Sequence, residues 1–325
     1  MPTPDNPTSI SMGSFGPVRA IAWLALVVST ASLLAFDVRP SDLPGGVAGP
    51  VPVVYREVNG RQAKLDLYLP SAPPPSGGRP IALAIHGGGW RGGSKDEFGL
   101  MVARLARHGY LVASADYRLS KPGSPSWPEN FEDVREAVRW LRRNARRYDA
   151  DPSRIVAIGA SAGGHLAALL GMHPDGPVSG RSQLEGDFAP SDGSARVQAV
   201  VNFYGPTDLA ELARIKPATV GPMALFLGGP AATFPGRYRD ASPAAHASPD
   251  DPPMLLIYGS ADPLIPTSQA DRLTESLDSV GVPRRLIVIE GAVHGFGFRA
   301  GTRDLLPEIL AFLDEVWARR PIAPR

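Results

Sequence analysis

Ser161 stands in the run Gly159-Ala160-Ser161-Ala162-Gly163-Gly164, directly after the apolar stretch 155–158 and ahead of the helix-like stretch 165–170. A serine on a sharp strand-to-helix turn holds its hydroxyl clear of the sheet, and glycines two residues either side let neighbouring backbone pass close. A hydroxyl is a weak nucleophile at neutral pH and needs a base. Of the six histidines (His86, His108, His165, His173, His246 and His294), only His294 lies in a glycine-rich loop after the last expected strand, Gly291-Ala292-Val293-His294-Gly295-Phe296-Gly297. That loop can carry an imidazole back over a sheet. The base needs a carboxylate to fix its tautomer and stabilise the imidazolium. Asp262, in Gly259-Ser260-Ala261-Asp262-Pro263, is the first choice; Asp208, in Tyr204-Gly205-Pro206-Thr207-Asp208, is the second, its other role being a turn residue bonded to local backbone.

Attack on a carbonyl creates an oxyanion that needs donors. His86-Gly87-Gly88-Gly89-Trp90 follows the apolar run 81–85, and its glycines allow backbone N–H groups to converge. Gly88 and Gly89 are the expected donors, joined by the amide of Ala162 at the positive end of the helix after Ser161. Each donor in such a hole is worth about 3 kcal/mol in the transition state. His86 is expected to bond backbone and hold this loop, His108 to lie on the surface at a helix end, and His165 to pack or cap. Trp90, Phe203, Tyr204, Phe226 and Phe296 are the candidate substrate-pocket walls, with ordinary core as their alternative role.

The elements that must position these groups are legible as apolar runs. The stretches 51–58 and 63–69, turned at Asn59-Gly60, read as an antiparallel pair. Short apolar runs at 81–85, 110–115, 155–158, 199–203, 254–258 and 285–289 are separated by longer, partly helical stretches, the rhythm of a mostly parallel sheet covered on both faces. The clearest helix runs from Asn130 to about Tyr148, with Phe131, Val134, Val138, Leu141 and Ala145 as its apolar stripe. Its Arg142, Arg143, Arg146 and Arg147 are expected on a solvated face. Helices at 268–280 and 304–319 flank the last strands, and 172–196 and 209–240, which lack periodicity, are expected as insertions above the sheet.

Composition bounds the rest. The 325 residues are 43% hydrophobic with a formal net charge of +1, which argues against nucleic acid as a partner. Cysteine is absent, removing disulfides, thiol nucleophiles and thiolate metal sites. Ahead of the folded part, an uncharged apolar run begins at Ala20 and ends at Phe36. As a helix it would rise about 26 Å, short for a bilayer span, so it reads as an export signal or a membrane anchor. Residues 1–45 are taken as this segment plus a Pro/Gly linker, and 46–325 as the catalytic domain. Oligomeric state is not legible.

The chain order Ser161, Asp262, His294 is that of the α/β-hydrolase arrangement. With the His86 to Trp90 loop, Asp116-Tyr117-Arg118-Leu119, Asp133 on the helix, the serine turn, Tyr204 to Asp208 and Ser242-Pro243, the chain resembles bacterial esterases of the α/β-hydrolase superfamily over roughly 51–317. The likeness is to the carboxylesterase, acetyl-xylan esterase and feruloyl-esterase-like branch related to hormone-sensitive lipase. It implies an α/β fold with a central sheet of about eight strands, helices on both faces and a small cap from insertions. It also implies Ser161 as nucleophile, His294 as base and Asp262 as orienting acid, with Gly88, Gly89 and Ala162 around the oxyanion. The N-terminal apolar run and the insertion 172–196 depart from the family pattern. The expected activity is hydrolysis of a small-molecule ester without metal or organic cofactor. Amide or peptide hydrolysis on the same residues, and a non-catalytic binding module on the same scaffold, are the alternatives.

Overall fold

A computed structural model describes residues 43–175 and 193–319. Asn59 and Gly60 both adopt positive φ, 49° and 74°, the requirement of a two-residue type I′ hairpin turn. They join β1 (Val47–Val58) to β2 (Arg61–Pro70) antiparallel, as the sequence predicts. The chain continues through β3 (Arg79–Ile85), α1 (Lys95–Ala106), β4 (Leu111–Ala115), α2 (Glu129–Asn144), β5 (Ala150–Ala160) and α3 (Ala162–Met172). Then come β6 (Ala199–Phe203), α4 (Leu209–Ile215), α5 (Pro217–Leu227), α6 (Pro235–Asp240), β7 (Met254–Gly259), α7 (Ser268–Ser279) and β8 (Arg284–Ile289). A two-stranded ribbon, β9 (Arg299–Ala300) and β10 (Arg303–Asp304), precedes α8 (Leu306–Ala318).

The eight strands β1 to β8 form one sheet in the order β1-β2-β4-β3-β5-β6-β7-β8. Pairing is antiparallel for β1–β2 and β2–β4 and parallel from β4–β3 onward. Strands β3, β4, β6 and β7 are buried along their whole length, which is why they read as continuous apolar runs instead of alternating ones. The stripe Phe131, Val134, Val138, Leu141 and Ala145 is fully shielded, so α2 forms where its amphipathic pattern places it.

One expectation is corrected, and two elements appear that the sequence did not announce. Arg142 is not on a solvated face: its guanidinium donates to the carbonyls of Pro152 (3.2 Å), Arg196 (2.6 Å) and Ser194. Pro152 lies in β5 and Ser194 and Arg196 precede β6, and a long side chain with five N–H groups reaches all three carbonyls. Residues 209–240, expected as an insertion without periodicity, hold α4, α5 and α6; Pro217, Pro222, Pro235 and the glycines among them erase the periodicity that marks longer helices. The β9–β10 ribbon, two residues a strand, is too short to leave a pattern. The run 20–36 and residues 176–192 of the insertion lie outside the described residues. Among the described residues no helix is long and apolar enough to cross a membrane.

Candidate active site

Ser161 joins β5 to α3 with φ 55° and ψ −121°. A non-glycine residue there is strained by about 1–3 kcal/mol and persists only where its surroundings over-determine it. The surroundings do so. Ser161 N–H donates to the carbonyl of Phe203 at the end of β6 (2.9 Å), and the Ser161 carbonyl accepts the His165 amide (3.0 Å), opening α3. The glycines of the turn answer to space: a Cβ on Gly159 would strike the carbonyl of Gly163, one on Gly163 the carbonyls of Ile85 and His86, and one on Gly164 the Asn202 side chain.

The three residues picked from distant loops meet. His294 Nε2 lies 3.0 Å from Ser161 Oγ, and His294 Nδ1 lies 2.7 Å from Asp262 Oδ2. The other carboxylate oxygen, Oδ1, accepts the amides of Leu264 (2.8 Å) and Ile265 (2.9 Å). Asp262 has no exposed side-chain surface, whereas the imidazole is 18% exposed. A carboxylate only accepts, so Nδ1 carries the proton and Nε2 is left as an acceptor facing the serine hydroxyl. Asp208 takes its alternative role, capping α4 by accepting the Glu211 amide at 3.0 Å.

The loop after β3 passes beside Ser161: a Cβ on Gly87 would stand 3.4 Å from Ser161 Cβ. Gly88 and Gly89 have φ of 109° and 59°, and the Gly88 carbonyl accepts from Arg91 (3.2 Å) and Gly92 (3.0 Å), turning the chain back. His86 holds the loop through backbone, its Nδ1–H donating to the Gly87 carbonyl at 2.7 Å. Burial pushes its pKa down to about 4, so the ring is neutral at pH 7. Ala162 is the first residue of α3, a position whose amide has no intrahelical partner.

The remaining candidates are placed as follows. Trp90 is buried, stacks on Phe226 with centroids 4.5 Å apart, and donates its indole N–H to His165 Nδ1 at 3.2 Å. Nε2 of His165 therefore carries the proton and donates to the Ala241 carbonyl at 2.6 Å, and burial pushes this pKa to about 4 as well. Phe203 and Phe226 are fully shielded, Tyr204 is buried with its ring against His294, and Phe296 is half-buried. His108 is exposed just past α1, and His173 stacks on His246 at 4.5 Å.

Two residues that the resemblance named without a role, Tyr117 and Asp133, act as supports. Tyr117 stacks on His86 (4.3 Å) and donates its hydroxyl to the His86 carbonyl at 2.9 Å. Asp133, buried on α2, accepts from Arg56 (2.5 Å) and from Arg118 through Nε (2.9 Å) and the backbone amide (2.9 Å), anchoring the segment that carries Tyr117. The Asp-Tyr-Arg string was visible, but nothing in one sequence pairs it with a helix residue. A cavity of about 530 Å³ lined by Arg56, Arg61, Asp116, Arg118, Lys121 and Asp133, among others, includes none of Ser161, Asp262 or His294. Among the described residues no group of three or more His, Asp or Glu side chains is arranged to hold a metal ion.

Comparison with known proteins finds esterases among the chain's relatives. The chain is 31% identical over 265 residues to LipM of Mycobacterium tuberculosis, a probable carboxylic ester hydrolase, covering 80% of this chain and 59% of LipM. It is 32% identical to the esterase LipC of the same organism, covering 74% of this chain and 59% of LipC. It thus spans about three fifths of the length of these curated relatives. Among solved structures, the Thermogutta terrifontis esterase Est2 with bound propionate superposes with a TM-score of 0.66 at 29% identity, covering 85% of this chain and 97% of Est2. A truncated carbohydrate esterase from gut microbiota superposes with a TM-score of 0.71 at 27% identity, over 83% and 97% of the two chains. The BD-FAE family model matches residues 65–277, more than half of the sequence, and the chain belongs to that family of α/β-hydrolase esterases.

Proposed function

We propose that the protein hydrolyses carboxylic esters through an acyl-enzyme. Ser161 Oγ attacks the ester carbonyl carbon while its proton passes to His294 Nε2. The C–O bond to the alcohol then breaks as the imidazolium protonates the leaving oxygen, and a water activated by the same nitrogen cleaves the acyl-enzyme to release the acid and restore the serine. Asp262 holds the Nδ1–H tautomer throughout. The amides of Gly88, Gly89 and Ala162 receive the oxyanion of each tetrahedral intermediate. Phe296, alone of the five aromatic candidates in keeping appreciable surface, is the pocket wall an acyl or alcohol group meets.

The observation that carries this reading is the unshared acceptor of His294 at 3.0 Å from Ser161 Oγ, with the opposite ring nitrogen held by a buried carboxylate. LipM and LipC are named for ester hydrolysis, and Est2 has been solved phosphonylated by cyclosarin. The test is a p-nitrophenyl ester chain-length series with fluorophosphonate labelling, on the wild type and Ser161→Ala. Turnover and labelling are expected in the wild type and neither in the variant. Equal, background rates in both would remove the enzyme assignment, and p-nitroanilide turnover matching that of the esters would move it to amides.

A further inference from the structure

His294 hangs from the loop after β8, whereas Ser161 follows β5, and the strand order puts β6 and β7 between them. The imidazole therefore has to reach across the end of β6, and the residue at that end is Tyr204. Its amide donates to the Ile257 carbonyl of β7 at 2.8 Å. Its φ of 37° is left-handed, a conformation a bulky residue keeps only when its neighbours impose it. The ring centroid lies 4.6 Å from that of His294, tilted by 59°, and 4.7 Å from that of Phe296. The hydroxyl donates to the Phe296 carbonyl, two residues past His294.

The loop needs such a tie. Gly291 and Gly295, either side of His294, have φ of 68° and 99°, so the backbone there is intrinsically permissive. Before His294 the loop is held by Gly291 N–H to Ser260 Oγ (2.9 Å) and by Ala261 N–H to the Ala292 carbonyl (3.1 Å). After it, the Tyr204 hydroxyl is the tie nearest in sequence, the next being the Phe298 amide on Met101 Sδ. Burial pushes the Tyr204 hydroxyl above its ordinary pKa, so it stays a donor across the neutral range.

We infer that Tyr204 is a positioning residue that supports the His294 imidazole from beneath and clamps its loop, so that Nε2 stays in line with Ser161 Oγ; this rests on the triad proposed above. Tyr204→Phe keeps the ring and loses the clamp, and Tyr204→Leu loses both. We expect kcat for p-nitrophenyl acetate to fall about 5- to 10-fold in Tyr204→Phe and about 100-fold in Tyr204→Leu. KM should stay within about twofold and the melting temperature of Tyr204→Phe close to wild type. The low-field proton resonance of the His294–Asp262 hydrogen bond should broaden or shift in both variants. Unchanged kcat in Tyr204→Phe, or a rise in KM alone as a pocket wall would give, overturns the inference. A wild type with no esterase activity would sink the proposed function instead. The resonance would then still decide Tyr204's role, since an unaltered signal in both variants also overturns it.

Discussion

Asp262→Asn changes one atom, and the surroundings dictate how the new side chain sits. The amides of Leu264 and Ile265, 2.8 and 2.9 Å from Oδ1, both donate, so the carboxamide oxygen must stay where Oδ1 is. Its NH₂ then faces His294 Nδ1 at the place where Oδ2 accepted at 2.7 Å. A donor facing Nδ1 forces the proton to Nε2, which then donates toward Ser161 Oγ and cannot take its proton. A wrong tautomer in a serine triad costs about 10⁴ in kcat, or about 5 kcal/mol of activation free energy. Folding should suffer far less: both backbone bonds survive, and exchanging one charge-assisted bond for a neutral one costs about 1 kcal/mol, a few degrees in melting temperature. The assay is steady-state hydrolysis of p-nitrophenyl acetate with burst titration and fluorophosphonate labelling, both of which should slow together. A folded Asp262→Asn protein retaining kcat within about tenfold of wild type would refute the reasoning.

Ser161→Gly should abolish hydrolysis yet stabilise the fold, because it releases a residue held at φ 55°. Set against the added freedom of the unfolded chain, the net gain is about 1 kcal/mol, seen in calorimetry as a melting temperature a few degrees above that of Ser161→Ala; a lower one contradicts the strain argument. Stability should also fall on acidification. His86 and His165 are held near pKa 4 by burial, so unfolding lets them gain protons that the fold refuses. Their contribution is complete above about pH 6.5 and is lost as pH falls toward about 4, roughly 3 kcal/mol for each ring. Denaturant titrations between these limits should show a slope of stability against pH that is shallower in His165→Gln than in wild type; identical slopes would contradict the assignment.

Much of this arrangement could be read along the chain because its parts are local. Buried parallel strands are apolar without interruption, so 81–85, 199–203 and 254–258 announced β3, β6 and β7. Ser161, Asp262 and His294 each sit in a glycine-bearing connection just past a strand, and the structure brings all three within hydrogen-bonding distance. What stayed hidden depends on partners remote in sequence. Arg142 looks solvated on a helical wheel, since only the folded chain places three carbonyls around it. Tyr204 reads as an aromatic wall because the carbonyl its hydroxyl meets is 92 residues away. The helices of 209–240 escape notice because proline and glycine leave each too short for a period to emerge.

The backbone bonds that leave the strand ends, from Ser161 to Phe203, from Tyr204 to Ile257 and from Ser260 to Ile289, make the sheet a ruler. Parallel strands repeat at about 4.8 Å, so the roots of the serine and imidazole loops are pegged roughly 14 Å apart by three ladder intervals. Connections that do not bear the reacting atoms, α4 to α6 among them, can be lengthened or recomposed without disturbing those pegs. Under the proposed hydrolysis, substrate choice would then drift through the outer segments while Ser161, Asp262 and His294 keep station, so that selectivity and bond cleavage would be separable properties of one chain.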